Sequence, residues 1–459
     1  MSTESQNAFA WQTSSPESGS LKRFIAFVLD RNEMEEYAER YPGFNFTFVS
    51  SCATGEKVIA LDPADVTGTV SFLYECHKQN PFTGVVNRKE RFVIPTAAVS
   101  ERLGFPRILE NPYLARDKYL MNKILSAHGL SVQALLLPDG REEGQCHNIS
   151  YPCVIKPRFG VNSMCVTKIG SQAGFKKVLS EQRKGYELLK HFDFQGYDLP
   201  NYDFIAEPFV GGTEHTVEIF FKDKEAKIRI VSDKLKMQPP YFLEVGDIMP
   251  SRLGEAERNE VLATAAGACR TLGIENGWTH TEVKVQDGKP LVMEVAARMA
   301  GGYFEKLVRA VYGIDMTNTL IGLYTGRRIE NPGTPRKCAV AKRVTTDGVR
   351  VMLGVTGYER YIKEDFFRLV DRRTLRGRSR VVIGPPYGYD NTLLEYFILA
   401  DTYESALTLS RKLFDRITVR SIRVPPPLYR SLRFLKRVTH LFRREGPRRD
   451  RAFTRGSSL

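Results

Sequence analysis

The stretch Trp278–Gly302, WTHTEVKVQDGKPLVMEVAARMAGG, carries the reading of this chain. Its two halves alternate apolar and polar residues, the period of a half-buried strand. Between them stands Asp287-Gly288, a pair favoured in two-residue hairpin turns because both positions need positive φ. Glu282 lies five residues before the turn and Glu294 six residues after it, so the two are rough cross-strand neighbours. Two carboxylates on one face of a hairpin repel unless a cation lies between them. A hard divalent ion is the natural filler, since magnesium takes one or two carboxylates plus substrate phosphates. Arg298 follows Glu294 by four residues, just before Gly301-Gly302, and a guanidinium there could clamp a phosphate or carboxylate bidentately.

Three upstream segments share this chemistry. YLARDKYLMNKILSAHGL (113–130) reads as a helix with Lys118 near its start and Leu120, Ile124 and Leu125 on its apolar face. YPCVIKPRFGVNSMCV (151–166) reads as a strand ending in Lys156, then a polar loop with Gly160, Asn162 and Ser163. FIAEPFVGGTEHTVEIFF (204–221) reads as a strand ending in Glu207, a Gly211-Gly212 turn, and a strand bearing Glu214, His215 and Glu218. Each element alone is commonplace. Together, two lysines, a polar loop, two magnesium-type carboxylates and an arginine suit phosphoryl transfer, where catalysis is mostly positioning and charge neutralisation.

In this order the segments resemble the ATP-grasp family, and within it the carboxylate–amine ligases of the L-amino-acid ligase (dipeptide synthase) type. The resemblance implies an ATP-grasp fold, α/β and α+β. An N-terminal α/β domain (21–112) would precede the two-subdomain ATP-grasp domain (113–330), and a strand-rich α+β domain (335–424) would follow. It implies ATP and Mg2+ as cofactors, with Mn2+ an alternative. Lys118, Lys156 and Ser163 would face the phosphates. Glu207, Phe209 and Val210 would form the adenine hinge, and Glu214 would take the ribose. Glu282 and Glu294 would hold the metal. Arg298 would bind the transferred phosphate or acyl group, with His280 beside it as a catalytic candidate. Small carboxylate and amine substrates, amino acids foremost, would be joined through an acyl phosphate, and the chain would pair as a homodimer. Two departures stand out. Met164 and Cys165 occupy loop positions where the family carries small residues, and Ala296 stands where many members have Asn. A carboxylating or purine-pathway-like enzyme is one alternative. A non-catalytic nucleotide-binding protein recruited through a basic tail is another.

The rest of the chain fits a protein of several α/β layers. Near the N-terminus, RFIAFVLD, FTFVS, KVIAL and GVVN read as strands interleaved with helices, the last of them closed by Gly104. No GxGxxG follows the first strand, which argues against a dinucleotide fold. Toward the C-terminus, DTYESALTLSRKLFDRI reads as a helix with Asp401 and Glu404 as a capping box. The 459 residues are 42% hydrophobic and 26% charged, which excludes wholesale disorder and a small disulfide scaffold. Seven scattered cysteines, none in CxxC spacing, fit free thiols in a reducing compartment, and with no secretory signal the expected location is the cytoplasm.

The formal charge of +14 is unevenly placed. Residues 423–459 hold eleven Lys/Arg against two Asp/Glu, a net of +9, which leaves +5 on the remainder. Residues 1–20 read as disordered. Residues 425–459 read as a basic amphipathic tail, with Leu428, Leu432, Leu435 and Phe442 on one stripe, expected to pack on the body with a solvated charged face, with contact to an anionic membrane surface or a protein as the alternative. No nucleic-acid motif stands beside it.

Overall fold

The computed structural model describes residues 21–28, 31–50, 55, 57–62, 65–138, 148–160, 163–193, 203–236, 241–329, 333–371, 380–383 and 392–425. The readings made for residues 1–20, for Asn162 and for the tail stripe lie outside the described residues.

The first layer is a parallel sheet of β1 (Arg23–Phe27), β2 (Asn45–Ser50), β3 (Val58–Ala60) and β4 (Gly84–Asn87), in the order β3-β2-β1-β4. Its helices are α1 (Arg31–Arg40), α2 (Val66–Gln79) and α3 (Val93–Leu103). Gly104 ends α3 at φ 70°, a left-handed cap that a Cβ would disfavour. Parallel strands are covered on both faces, and these read accordingly as unbroken apolar runs. Ile25, Phe27 and Val85 pack with Leu73 and Val99, while Phe24, Ala26 and Val86 join the core of the next layer.

Helix α4 (Lys118–Ala127) leads into a small antiparallel sheet of β5 (Leu135–Leu137), β6 (Cys153–Pro157), β7 (Thr167–Ile169) and β8 (Phe204–Pro208), with α5 (Phe175–Asp193) against it. The large sheet then begins with β9 (Thr213–Lys222), β10 (Glu225–Lys236) and β11 (Glu244–Met249). After α6 (Glu255–Thr271), the hairpin β12 (Gly277–Gln286) and β13 (Lys289–Ala296) pairs onto β9. Its turn has Asp287 at φ 52° and Gly288 at φ 76°, both positive as Asp-Gly foretells. Helices α7 (Phe304–Tyr312) and α8 (Met316–Thr325) close this part. They meet Trp278, whose indole N–H donates to the Met316 carbonyl at 2.8 Å.

The sheet does not stop there. Strand β14 (Cys338–Thr345) pairs with β11 across the boundary expected at 330–335. The remaining elements are β15 (Val349–Thr356), β16 (Phe367–Asp371), β17 (Arg380–Ile383), β18 (Thr392–Ala400), α9 (Tyr403–Phe414) and β19 (Thr418–Arg423). Eight strands in the order β13-β12-β9-β10-β11-β14-β18-β16 form one sheet, and β17-β15-β19 form another. The cap of α9 differs from the capping-box reading. Thr402 accepts from the Ser405 N–H, while Asp401 pairs with Lys337.

Candidate active site

A cavity of about 550 Å3 opens where these layers meet, within the range of nucleotide- and substrate-sized pockets. Its central feature is the β12–β13 hairpin. Glu282 and Glu294 are paired directly across it, although one lies five residues from the turn and the other six. The odd count is absorbed by a one-residue register shift after Glu282, which leaves Met293 as the extra residue. Both carboxylates line the cavity.

Helix α4 aims a lysine at this pair. Asp117 caps the helix through the Tyr119 and Leu120 N–H groups and grips the Arg158 guanidinium at 2.6 Å. Lys118 therefore starts the helix and is nearly buried, its ammonium 2.8 Å from Glu294 and 2.9 Å from the Gly160 carbonyl. The buried face of α4 is Lys118, Met121, Asn122 and Leu125. Leu120 and Ile124, expected on that face, are only partly buried, because the polar Asn122 is turned inward to donate to Glu207 at 3.2 Å.

Lys156 and Glu207 meet at 2.8 Å with both side chains over nine-tenths buried. Burial works against the charged form of Lys156, but Glu207, Glu294 and Glu282 together overcome it and hold its pKa above the ordinary lysine value. Val210 and Glu214 also line the cavity, and the Val210 carbonyl accepts from Lys284 at 2.6 Å. Phe209 does not line it. Its ring is tilted 31° to that of Phe242, with the Lys168 ammonium 3.6 Å from its centroid, and it is Phe242 that reaches the wall. Ser163 lines the cavity at φ 53°. Met164 and Cys165 are buried in the core of the small sheet, which accounts for large residues at these loop positions.

His280 lines the cavity and is hydrogen-bonded to Glu218, which also accepts from the Ala300 N–H at 3.2 Å. Ala296, buried opposite His280, keeps the backbone register without adding a polar group. Arg298 reaches Glu90 at 2.6 Å, and Arg116 reaches the same carboxylate at 2.8 Å. Burial raises the Glu90 pKa, but the two guanidiniums and Lys118 outweigh it and hold it down to about 2.

Sequence reading did not find Glu90, Arg116, Lys234, Glu244, Arg343 or Glu395. Lys234 is buried between Glu282 and Glu244, the latter at 3.3 Å. Arg343 on β14 reaches Glu244 at 2.7 Å and Glu395 on β18 at 2.9 Å. The Tyr303 hydroxyl sits between Glu244 and Asp247, and burial together with Glu244 pushes the Asp247 pKa well above its ordinary value. For Arg343 the one local signal was a charged position beside the apolar run CAVA in CAVAKRV.

The donor set fits a divalent ion and a polyphosphate: two opposed carboxylates supply hard oxygen ligands, and Lys118 and Lys156 supply cations on the same wall. Among the described residues no cluster of three or more His, Cys, Asp or Glu side chains suits a metal, so the remaining ligands would come from the nucleotide and water. No helix among the described residues is long and apolar enough to cross a membrane.

Comparison with known proteins places this architecture in a class. Residues 149–305 match the family described as an ATP-grasp domain. The chain carries an ATP-grasp domain and has the ATP-grasp fold. It is 28% identical over 262 residues to the alanine–anticapsin ligase of Bacillus subtilis, covering 52% of each chain. To carnosine synthase 1 of Gallus gallus it is 29% identical over 189 residues, covering 41% of this chain and 20% of the relative. It thus spans about half the length, or less, of these curated relatives. The crystal structure of an L-amino acid ligase from Bacillus licheniformis superposes with a TM-score of 0.70 at 21% identity, covering 88% of this chain and 99% of that one.

Proposed function

We propose that the protein is an ATP-dependent carboxylate–amine ligase that joins two amino-acid-like substrates and releases ADP and phosphate. The observation that carries this reading is the directly opposed Glu282/Glu294 pair, facing the same cavity as Lys118 and Lys156. The ligase and synthase names of the relatives support an amide-forming reaction over other uses of the same site.

A carboxylate is a poor electrophile, so one of its oxygens first attacks the γ-phosphorus of ATP, and the bond from that phosphorus to ADP breaks. The amine nitrogen then attacks the carbonyl carbon of the acyl phosphate, and the carbon–oxygen bond to phosphate breaks. Of the ammonium's three protons, one stays on the amide, one leaves with phosphate and one goes to solvent. Glu282 and Glu294 would hold a divalent ion, which when bound neutralises phosphate oxygens. Lys118 and Lys156 hold the polyphosphate. Arg298 is aimed at the transferred group and His280 lies beside it.

A phosphate-release screen of MgATP with pairs of amino acids tests this reading. The expected products are ADP and phosphate, with one oxygen of an 18O-labelled carboxylate carried into the phosphate. Release of AMP and pyrophosphate refutes the acyl-phosphate route.

A further inference from the structure

The far half of the cavity has two poles of opposite charge. At one, two guanidiniums, Arg116 and Arg298, share the single carboxylate Glu90. Arg88, Lys89 and Arg91 line the same cavity, Arg88 paired with Glu36 and Glu305 and Lys89 with Glu33. At the other, the order is reversed: one guanidinium, Arg343, serves two carboxylates, Glu244 and Glu395. The second cation there, Lys234, is already shared between Glu244 and Glu282. Glu244 thus meets both cations while Glu395 meets Arg343, and these carboxylates line the cavity together with Glu282.

Of the three, Glu244 is paired with both cations and Glu282 belongs to the expected metal pair, which leaves Glu395, whose side chain reaches the cavity wall although it is only 5% exposed. It lies directly across the β14–β18 ladder from Arg343, and Arg343 is the cation paired with it. Gly302, at φ 64°, brings the loop after Arg298 against it: a Cβ there would stand 3.1 Å from the Arg343 guanidinium and 3.7 Å from Glu395. The C-terminal strands are thereby part of the wall next to Arg298, not a separate surface.

Resting on the ligase reading, the geometry points to a fixed polarity of the two substrates. The acid to be activated lies at the Arg116/Arg298 pole, and the amine substrate enters from the C-terminal strands with its ammonium on Glu395. A hydrogen bond from an ammonium to a carboxylate is of the strong, charge-assisted kind, and its loss is felt in affinity. Arg343 leaves an uncompensated guanidinium edge beside Glu395 when the ammonium takes that carboxylate, which suits the carboxylate of a zwitterionic acceptor.

Hydroxylamine separates the two halves of the reaction. It is small and uncharged at neutral pH, so it captures the acyl phosphate as a hydroxamate without needing an ammonium site. The full-length chain and its E395Q variant are compared with MgATP and each proteinogenic L-amino acid as donor, first with hydroxylamine and then with a second amino acid. E395Q is expected to keep hydroxamate formation within about twofold while the KM for the acceptor amino acid rises at least about tenfold. Equal losses in both assays, or no loss in either, overturn the assignment. Thermal melting and MgATP affinity verify that E395Q folds, and E395D serves in its place if it does not. A wild-type chain that makes neither hydroxamate nor amide refutes the ligase reading itself, a different outcome from either of these.

Discussion

Glu282 and Glu294 face each other across one hairpin, and each is held by a different buried lysine, Lys234 on the first and Lys118 on the second. The two carboxylates are therefore each met by a cation from a different element, one on β10 and one at the start of α4. Replacing Glu294 by Ala removes an expected metal oxygen and leaves Lys118 with only the Gly160 carbonyl among its contacts described above. E294A should lower MgATP-dependent phosphate release on the order of 10²–10³-fold, with the folded state retained by circular dichroism. Full activity would remove this pair from the site.

Glu90 links acid stability to the same site. Its folded pKa, about 2, lies below the ordinary value of 4.5. A depressed carboxylate stabilises the fold above the unfolded pKa, and that contribution is lost as pH falls through the folded one. Stability should therefore fall between about pH 4.5 and 2. E90Q should lose of order 3 kcal/mol at neutral pH and show a flatter profile in that window, measured by urea denaturation across pH. An unchanged acid limb would show that Glu90 is not so held.

The parallel N-terminal layer is fastened to the large sheet by charge as well as by apolar contact. Glu305 on α7 accepts from Arg40 at 2.9 Å and forms an ion pair with Arg88 at 2.9 Å while almost fully buried. E305Q leaves two guanidiniums short of a carboxylate, and removing one partner of a buried pair costs about 3–5 kcal/mol. A fall of that size in unfolding free energy is expected. A neutral result would mean that Glu36 and Asp315, which also meet Arg40, suffice.

Gly212 sits at φ 75°, where an added Cβ would lie 1.8 Å from the Val285 carbonyl oxygen. No side chain can move to relieve a clash with backbone. G212A should therefore shift the turn between β8 and β9, weaken nucleotide binding, and lower stability by more than the ~1 kcal/mol that a strain-free Gly-to-Ala replacement would add. Calorimetric ATP titration and a melting curve check this together.

Much of the site was legible because strands announce themselves by alternation and turns by Asp-Gly or Gly-Gly. The hairpin, the positions of Lys118 and Lys156, and the pairing of Glu282 with Glu294 all follow from local pattern. What was not legible depends on register between distant segments. Arg343 and Glu395 are 52 residues apart, and nothing in either neighbourhood says they are opposite each other. The orientation of α4 likewise turned on Asn122, a polar residue buried for a partner 85 positions away. Phe209, which the family resemblance put in the adenine hinge, has its ring tilted against Phe242, and Phe242 lines the cavity.

The pairing of β11 with β14 makes the C-terminal strands continuous, through the backbone, with the hairpin that bears Glu282 and Glu294. A chimera that exchanges the segment from residue 335 onward would thus inherit a hydrogen-bonding ladder that must be matched residue for residue. A slip of one position there would turn Arg343 from one face of the sheet to the other. Exchange of substrate preference between such proteins is accordingly easier by point substitution along β14 and β18 than by recombination at the boundary that the sequence suggests.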